Sequence, residues 1–222
     1  MLYLYHKEAG ASTLTLTGDD HRYIFKVRRH KAEDTLRLRN LEDSYLYIYE
    51  VVSIDKRSVL LSLVSKEILE VKAPRPLHIG WCVIDPKSIE KVLPSLNEMG
   101  VEKITFIYCK RSQKSFKLDF KRLEKILINS SQQSGRSVMM QLTMAESLES
   151  FLHQNPQSIM LNFSKNRFSA NLNIDTVVIG CEGGFDDEER ALFSDEKVIG
   201  LDTSLVLKSE SAVCAVAAKL LT

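Results

Sequence analysis

The sequence predicts an α/β protein in two parts: a small β-rich, barrel-like domain followed by a larger domain built on a parallel sheet. Three observations carry this. Apolar and polar residues alternate along much of the first 65 residues. From Leu77 onward, short apolar runs alternate with stretches of helical periodicity. Between them lies a charged stretch in which Pro74 and Pro76 bracket Arg75, a pattern that neither a helix nor a central strand accepts. The expected division is 1–70 for the first domain, 71–76 for the linker and 77–222 for the second domain.

In the first part, Thr13–Thr17 and Leu36–Arg39 alternate strictly. Tyr45–Val52 and Ser58–Val64 are rich in β-branched and aromatic residues, which suit a pleated surface. One helix interrupts these strands. It starts near Gly18-Asp19-Asp20, where acids favour the positive helix end, and turns Tyr23, Ile24 and Val27 inward, with Arg22, Lys26 and Arg29 on its other face. In the second part, strands are expected at 77–84, 104–108, 138–142, 158–163, 176–179 and 197–199. Helices carry Ile89, Val92, Leu93 and Leu96 up to Gly100, then Leu123, Ile126 and Leu127 up to Gly135, then 145–152, 186–193 and 208–221. Pro94 removes one hydrogen bond from the first of these helices, so a kink is expected there. The run Thr176–Ile179 is apolar on both faces, as a buried parallel strand requires.

Composition excludes several classes. No apolar run reaches membrane-spanning length, and the N-terminus turns polar too soon for a secretory signal. Cys82, Cys109, Cys181 and Cys214 are far apart and form no metal-ligand spacing, so four reduced thiols in a cytoplasmic, metal-free protein are expected. A net charge of +1 points to no partner by itself. The distribution says more: seven Lys/Arg face two acids between His21 and Arg39, and seven face two acids between Lys110 and Lys125. Two such segments fit local binding of a polyanion, but by themselves they fit two solvated helix faces better.

The segment with most chemical content is Ile179-Gly180-Cys181-Glu182-Gly183-Gly184-Phe185, a buried strand running into a glycine-rich turn and then an acidic helix start. Ligands of open α/β sheets bind beyond the carboxyl ends of the strands, and glycines let backbone groups approach them. The segment lacks the dinucleotide and P-loop patterns, and the acids would repel phosphate. Spacing alone fits a plain strand-to-helix turn as well as a ligand site. The second segment, Leu201 to Leu207 followed by Lys208-Ser209-Glu210-Ser211-Ala212, sets apolar side chains in a loop at a helix start, where they could enclose a flat heterocycle. Read without a ligand, it is a helix start capped by Ser209 or Ser204.

Together these two segments resemble the signatures of bacterial small-subunit (16S) ribosomal RNA uracil-N3 methyltransferases of the SPOUT superfamily. The resemblance continues upstream through Glu90 and Glu98-Met99-Gly100-Val101, through Gln132-Gln133-Ser134-Gly135-Arg136, and through His21, Val27-Arg28 and Glu33-Asp34. It therefore spans nearly the whole chain, in order. The chain departs from the family pattern in five places: Cys181 replaces a proline, Thr203-Ser204-Leu205 replaces Gly-Pro-Arg, Lys208 replaces an arginine that could grip an anion with a forked donor, Gln132 replaces a glutamate and Ser95 a lysine.

The resemblance implies a C-terminal domain with a deep trefoil knot, a PUA-like RNA-binding N-terminal domain and a homodimer. It implies S-adenosyl-L-methionine as cofactor, held by Leu161, Asn162, Phe163, Ile179, Gly180, Cys181, Glu182, Gly183, Gly184, Leu201, Leu205, Val206 and Leu207. The expected reaction is methylation of a uridine N3 in ribosomal RNA or the small ribosomal subunit, with Lys208, Glu210 and Glu182 as catalytic candidates. His21, Arg22, Arg28, Arg29, Lys114, Lys117, Lys121, Arg122 and Arg136 are the RNA-binding candidates. Two other readings stay open: a related enzyme acting on transfer RNA or on a ribose 2′-hydroxyl, and a non-catalytic RNA-binding module.

Overall fold

The structure, a computed structural model, describes residues 2–27, 31, 33–168 and 173–222. The chain divides into two compact units, Met1–Lys72 with Ile128–Met139, and Ala73–Leu127 with Met140–Thr222.

The first unit is a five-stranded sheet. Its strands are β1 (Leu4–Tyr5), β2 (Thr13–Thr17), β3 (Thr35–Arg39), β4 (Tyr45–Ile54) and β5 (Ser58–Ile68), in the spatial order β1-β3-β4-β5-β2. All pairs are antiparallel except β1 with β3. Register shifts at Ile48/Tyr49 and Val51/Ser53 bend the long β4–β5 ribbon, the device by which a sheet curls toward a barrel. The alternation seen in the sequence is the burial pattern: Leu14, Leu16, Leu36 and Leu38 face a core completed by Tyr49, Val59 and Leu61. The interrupting helix is a short α-helical turn, α1 (Gly18–His21), continuing into a π-helical turn over Arg22–Val27. Ile24 is buried and Tyr23 half-buried as the periodicity required. The side chains of Lys26 and Val27 lie outside the described residues, as do Arg28 and Arg29.

Two pieces of this unit were not readable locally. Arg39, counted within a basic segment, is fully buried; its guanidinium donates to the carbonyls of Tyr45 and Leu69 and lies over the Tyr3 ring. The segment Ile128–Met139, distant in sequence, ties down the N-terminus. Leu2 N–H donates to the Gln132 carbonyl at 2.7 Å, Tyr5 N–H to the Gln132 side chain at 2.9 Å, and Tyr3 O–H to the Arg136 carbonyl at 2.7 Å.

The second unit is a six-stranded parallel sheet: β6 (His78–Cys82), β7 (Lys103–Ile107), β8 (Gln141–Ala145), β9 (Ile159–Leu161), β10 (Thr176–Ile179) and β11 (Val198–Ile199), in the order β11-β9-β10-β6-β7-β8. The helices are α2 (Pro86–Met99), α3 (Phe120–Ser134), α4 (Leu148–Gln154), α5 (Asp187–Ala191) and α6 (Ser209–Leu221), α3 having its last turns in the first unit. Helix α2 is capped by the Asp85 carboxylate, which accepts from Ser88 N–H, and ends at Gly100 with φ 96°, a left-handed conformation that glycine adopts without strain. Its helical run continues through Pro94. Strand β8 begins three residues later than the sequence pattern indicated, because Met139 N–H bonds to Leu41 and leaves the new sheet to begin at Gln141.

The thiol expectation is corrected at two positions. Cys82 and Cys109 are joined in a disulfide, while Cys181 and Cys214 are free. Neighbouring parallel strands bring the two ends together, with β6 in register against β7 up to Cys82–Ile107. A sequence separation of 27 hides that proximity. Among the described residues, no helix is long and apolar enough to cross a membrane, and no cluster of His, Cys, Asp or Glu has the arrangement of a metal site.

Candidate cofactor site

Strands β9, β10 and β11 end side by side, and the loops leaving their carboxyl ends surround a cavity of about 620 Å³. That is the size range of a small-molecule site and the place where parallel sheets bind ligands. All thirteen residues expected to hold a cofactor line it: Leu161, Asn162 and Phe163 after β9; Ile179 to Gly184 along and after β10; and Leu201, Leu205, Val206 and Leu207 after β11. Lys208 and Glu182 line it as well. Glu210 does not; it sits half-buried on α6 near Cys214, whose thiol is pushed up by burial and, secondarily, by the Glu210 charge. The sequence reading missed Ser164, Arg167, Phe185, Gly200, Thr203, Ser209 and Ala212, which complete the lining. Arg167 had no distinguishing signal; its guanidinium donates to the Leu201 carbonyl and approaches Asp202 at 3.8 Å.

The glycine-rich wall is built from the residues upward. Gly184 has φ 68°, left-handed backbone that a β-branched side chain would strain, and its amide closes the turn on the Cys181 carbonyl at 2.9 Å. Below the turn, buried Ser209 donates its hydroxyl to the Gly180 carbonyl at 2.5 Å and accepts from the indole N–H of fully buried Trp81 at 2.9 Å. Ser209 is thus no helix cap. Lys208 is the N-cap residue of α6 and offers no side-chain bond, while the serine spends its hydroxyl between β6 and the turn. A serine just before an apolar helix reads locally as a cap, so only the packing of β6, β10 and α6 could reveal this.

Beyond the turn, Asp186 and Glu189 form a reciprocal capping box on α5. The Glu189 N–H first, and then the Lys110 ammonium, hold the Asp186 carboxyl below the usual range. Lys110 pairs with Glu188 and with Asp186, and these raise its own pKa. Asp186, Glu188 and Glu189 are therefore engaged with the helix end and with a lysine from the loop after β7.

The opposite wall is apolar and open. Phe163 is 80% exposed, Leu205 73% and Val206 77%. Beyond the Arg167 bond to Leu201 its hydrogen bonds are local: Thr203 N–H to the Leu201 carbonyl, and Leu205 N–H to the Thr203 hydroxyl.

The RNA-binding candidates fall in three groups. Lys114, Lys117 and Lys121 are exposed, with the Lys114 and Lys117 ammonium groups 6.0 and 5.6 Å from the Tyr108 ring centre; exposed Arg122 pairs with Glu90 at 2.7 Å. Arg22 is exposed. His21 and Arg136 are buried, at 5% and 8% exposure: His21 lies beside the Phe25 ring, and Arg136 donates to the Val138 carbonyl.

A parallel sheet with a loop-walled cavity at its carboxyl edge, joined to a small β domain, defines a class of ligand-binding α/β enzyme, and comparison with known proteins gives the family. A family model described as an RNA methyltransferase domain matches residues 71–221, and one described as an RNA methyltransferase PUA domain matches residues 16–64. The chain belongs to this RNA methyltransferase family. It is 38% identical over 221 residues to the ribosomal RNA small subunit methyltransferase E of Helicobacter pylori, covering 98% of each chain. Against the protein of the same name from Rickettsia conorii it is 25% identical over 231 residues, covering 97% of this chain and 93% of that one. Two solved structures share the fold. One, from Neisseria gonorrhoeae, is a ribosomal RNA small subunit methyltransferase E bound to S-adenosyl methionine (TM-score 0.81, 16% identity, 98% of this chain and 95% of that one). The other is a Legionella pneumophila protein in complex with bound SAM (TM-score 0.78, 23% identity, 97% and 95%).

Proposed function

We propose that this protein is an S-adenosyl-L-methionine-dependent methyltransferase acting on N3 of a uridine in small-subunit ribosomal RNA. The observation that carries the reading is the cavity itself: every residue that the family resemblance assigns to the cofactor lies on one continuous lining. The lining also suits the group. Leu161, Phe163, Leu205, Val206 and Leu207 offer apolar surface to an adenine ring, the glycine turn offers close backbone, and Arg167, Glu182 and Lys208 supply charge for the amino-acid end. When bound, S-adenosyl-L-methionine supplies an electrophilic methyl carbon on a sulfonium.

The chain's own contribution is placement and electrostatics. Uracil N3 lies on the pairing edge, so the base must leave any duplex before it is methylated. The N3 proton has to depart as the new N–C bond forms, and the negative charge that develops on the ring favours a cation at the cavity mouth. Lys208, exposed at the start of α6, is the proposed cation, with Glu182 orienting the site from the cavity lining. Holding the two reactants in line supplies much of the remaining acceleration. Lys114, Lys117, Lys121 and Arg122, with Arg22, Arg28 and Arg29, are proposed to hold RNA phosphates, which positions the substrate without reading its sequence. The proposal includes a homodimer, as the family resemblance implies. It also includes the family's C-terminal knot, residues 1–70 as the RNA-binding domain and 77–222 as the catalytic one, and a cytoplasmic location.

Nucleoside mass spectrometry of 16S ribosomal RNA from a deletion strain tests this. Loss of one N3-methyluridine, restored by the wild-type gene and reduced at least tenfold with Lys208→Ala, is expected. An unchanged N3-methyluridine content, with another methylated nucleoside lost instead, would replace the substrate assignment.

A further inference from the structure

The glycine turn is held from a second side by a residue that neither the sequence motifs nor the cavity lining includes. Arg111, in the loop after β7, donates from Nη1 to the Gly183 carbonyl at 2.8 Å. Its aliphatic stem lies over the same residue: a Cβ added at Gly183 would meet the Arg111 Cβ at 3.2 Å and Cδ at 3.4 Å. Gly183 is thus small because Arg111 packs on it, whereas Gly184 is glycine because of its positive φ, with nothing within 4 Å of an added Cβ.

The arm that carries Arg111 is itself fixed at several points. Cys109 is bonded to Cys82 at the end of β6, and Ser112 N–H closes a tight turn on the Cys109 carbonyl at 3.0 Å. Lys110 N–H donates to buried Glu189 at 2.8 Å, and the Lys110 ammonium pairs with Asp186 and Glu188. The arm therefore grips the turn at Gly183 and the helix start just beyond it. Ser209 holds the Gly180 carbonyl at the other end of the turn. With the Gly180, Cys181 and Gly183 carbonyls all bound, three peptide planes of the turn are oriented before any ligand arrives, and the ordering cost of binding falls accordingly.

We propose that Arg111 is a positioning residue of the cofactor site, acting through the Gly183 carbonyl and not through RNA or the reacting atoms. This rests on the reading of the cavity as the S-adenosyl-L-methionine site. A guanidinium suits the task because its planar donors keep a fixed direction, whereas a lysine offers a point charge on a flexible stem.

The test uses the full chain with Arg111→Ala and Arg111→Lys, and Arg111→Gln should the alanine variant not fold. Calorimetric titration with S-adenosylhomocysteine is expected to show a Kd raised roughly tenfold in Arg111→Ala, with little recovery in Arg111→Lys. The KM for RNA should stay within about twofold and its salt dependence unchanged. Amide hydrogen exchange of the ligand-free protein should quicken over residues 181–186 in both variants. An unchanged cofactor Kd together with a raised RNA KM, rescued by lysine, would make Arg111 a phosphate contact and overturn the proposal. Should the wild-type protein fail to bind S-adenosylhomocysteine, the cofactor reading falls, and exchange alone then judges the arm: quickening sustains its hold on the turn, and no change refutes it.

Discussion

The two walls of the cavity are made on opposite principles. The glycine turn is bound by side chains distant in sequence: Ser209 on Gly180, Trp81 behind Ser209, and Arg111 on Gly183. The Leu201–Leu207 loop, by contrast, is held from a distance at its start, where Arg167 donates to the Leu201 carbonyl; beyond that its bonds run between residues two apart, and Leu205 and Val206 lie largely in water. Long-range bonds set a conformation in advance. Local bonds with exposed apolar side chains leave a segment of low local stability, whose surface is covered only when something binds. The glycine turn is therefore the more preformed wall, and the 203–207 part of the other is the less restrained.

The largest effect expected from this contrast is at the rigid wall. Gly184→Val forces a β-branched residue into left-handed backbone at the cavity edge, costing about 1–3 kcal/mol locally. Methyl transfer should fall at least tenfold, with melting temperature changed by only a few degrees; full activity would show that the turn need not be preformed. Next comes Ser209→Ala, which leaves the buried Trp81 N–H without its acceptor. It should lower stability by about 1–3 kcal/mol in urea unfolding, with Ser209→Thr keeping most of it. An alanine variant as stable as wild type would mean the hydroxyl holds nothing. The smallest effect belongs to the open wall. Leu205→Ala with Val206→Ala should change stability by less than about 0.5 kcal/mol, since both side chains are exposed, yet weaken S-adenosylhomocysteine binding several-fold. A large loss of stability without any loss of affinity would reverse the comparison.

The legible features were those in which one residue and its near neighbours decide the outcome. Strand β2 was readable from strict alternation, because a sheet with one buried face needs period two. Strand β10 was readable as a continuous apolar run, because it is buried on both faces. Helix α2 ended where Gly100 permits positive φ. The cavity lining was legible through the family resemblance of motifs that hold a strand end and its loop within a dozen residues. The Cys82–Cys109 bond, the inward Arg39 and the Trp81–Ser209–Gly180 chain left no such trace.

By itself, then, the sequence determined the alternation of elements, the parallel sheet and the glycine turn, since each follows from backbone preference and periodicity over short spans, while the residues that wall the cavity were implied by the resemblance of its motifs to a known family. Tertiary structure alone decided which side chains hold that wall in place. Ser209 looks like a helix cap and Arg111 like one cation in a basic run. Each became a support of the turn only when strands β6, β7 and β10 lay side by side and brought positions 29 and 72 residues away against the carbonyls of Gly180 and Gly183.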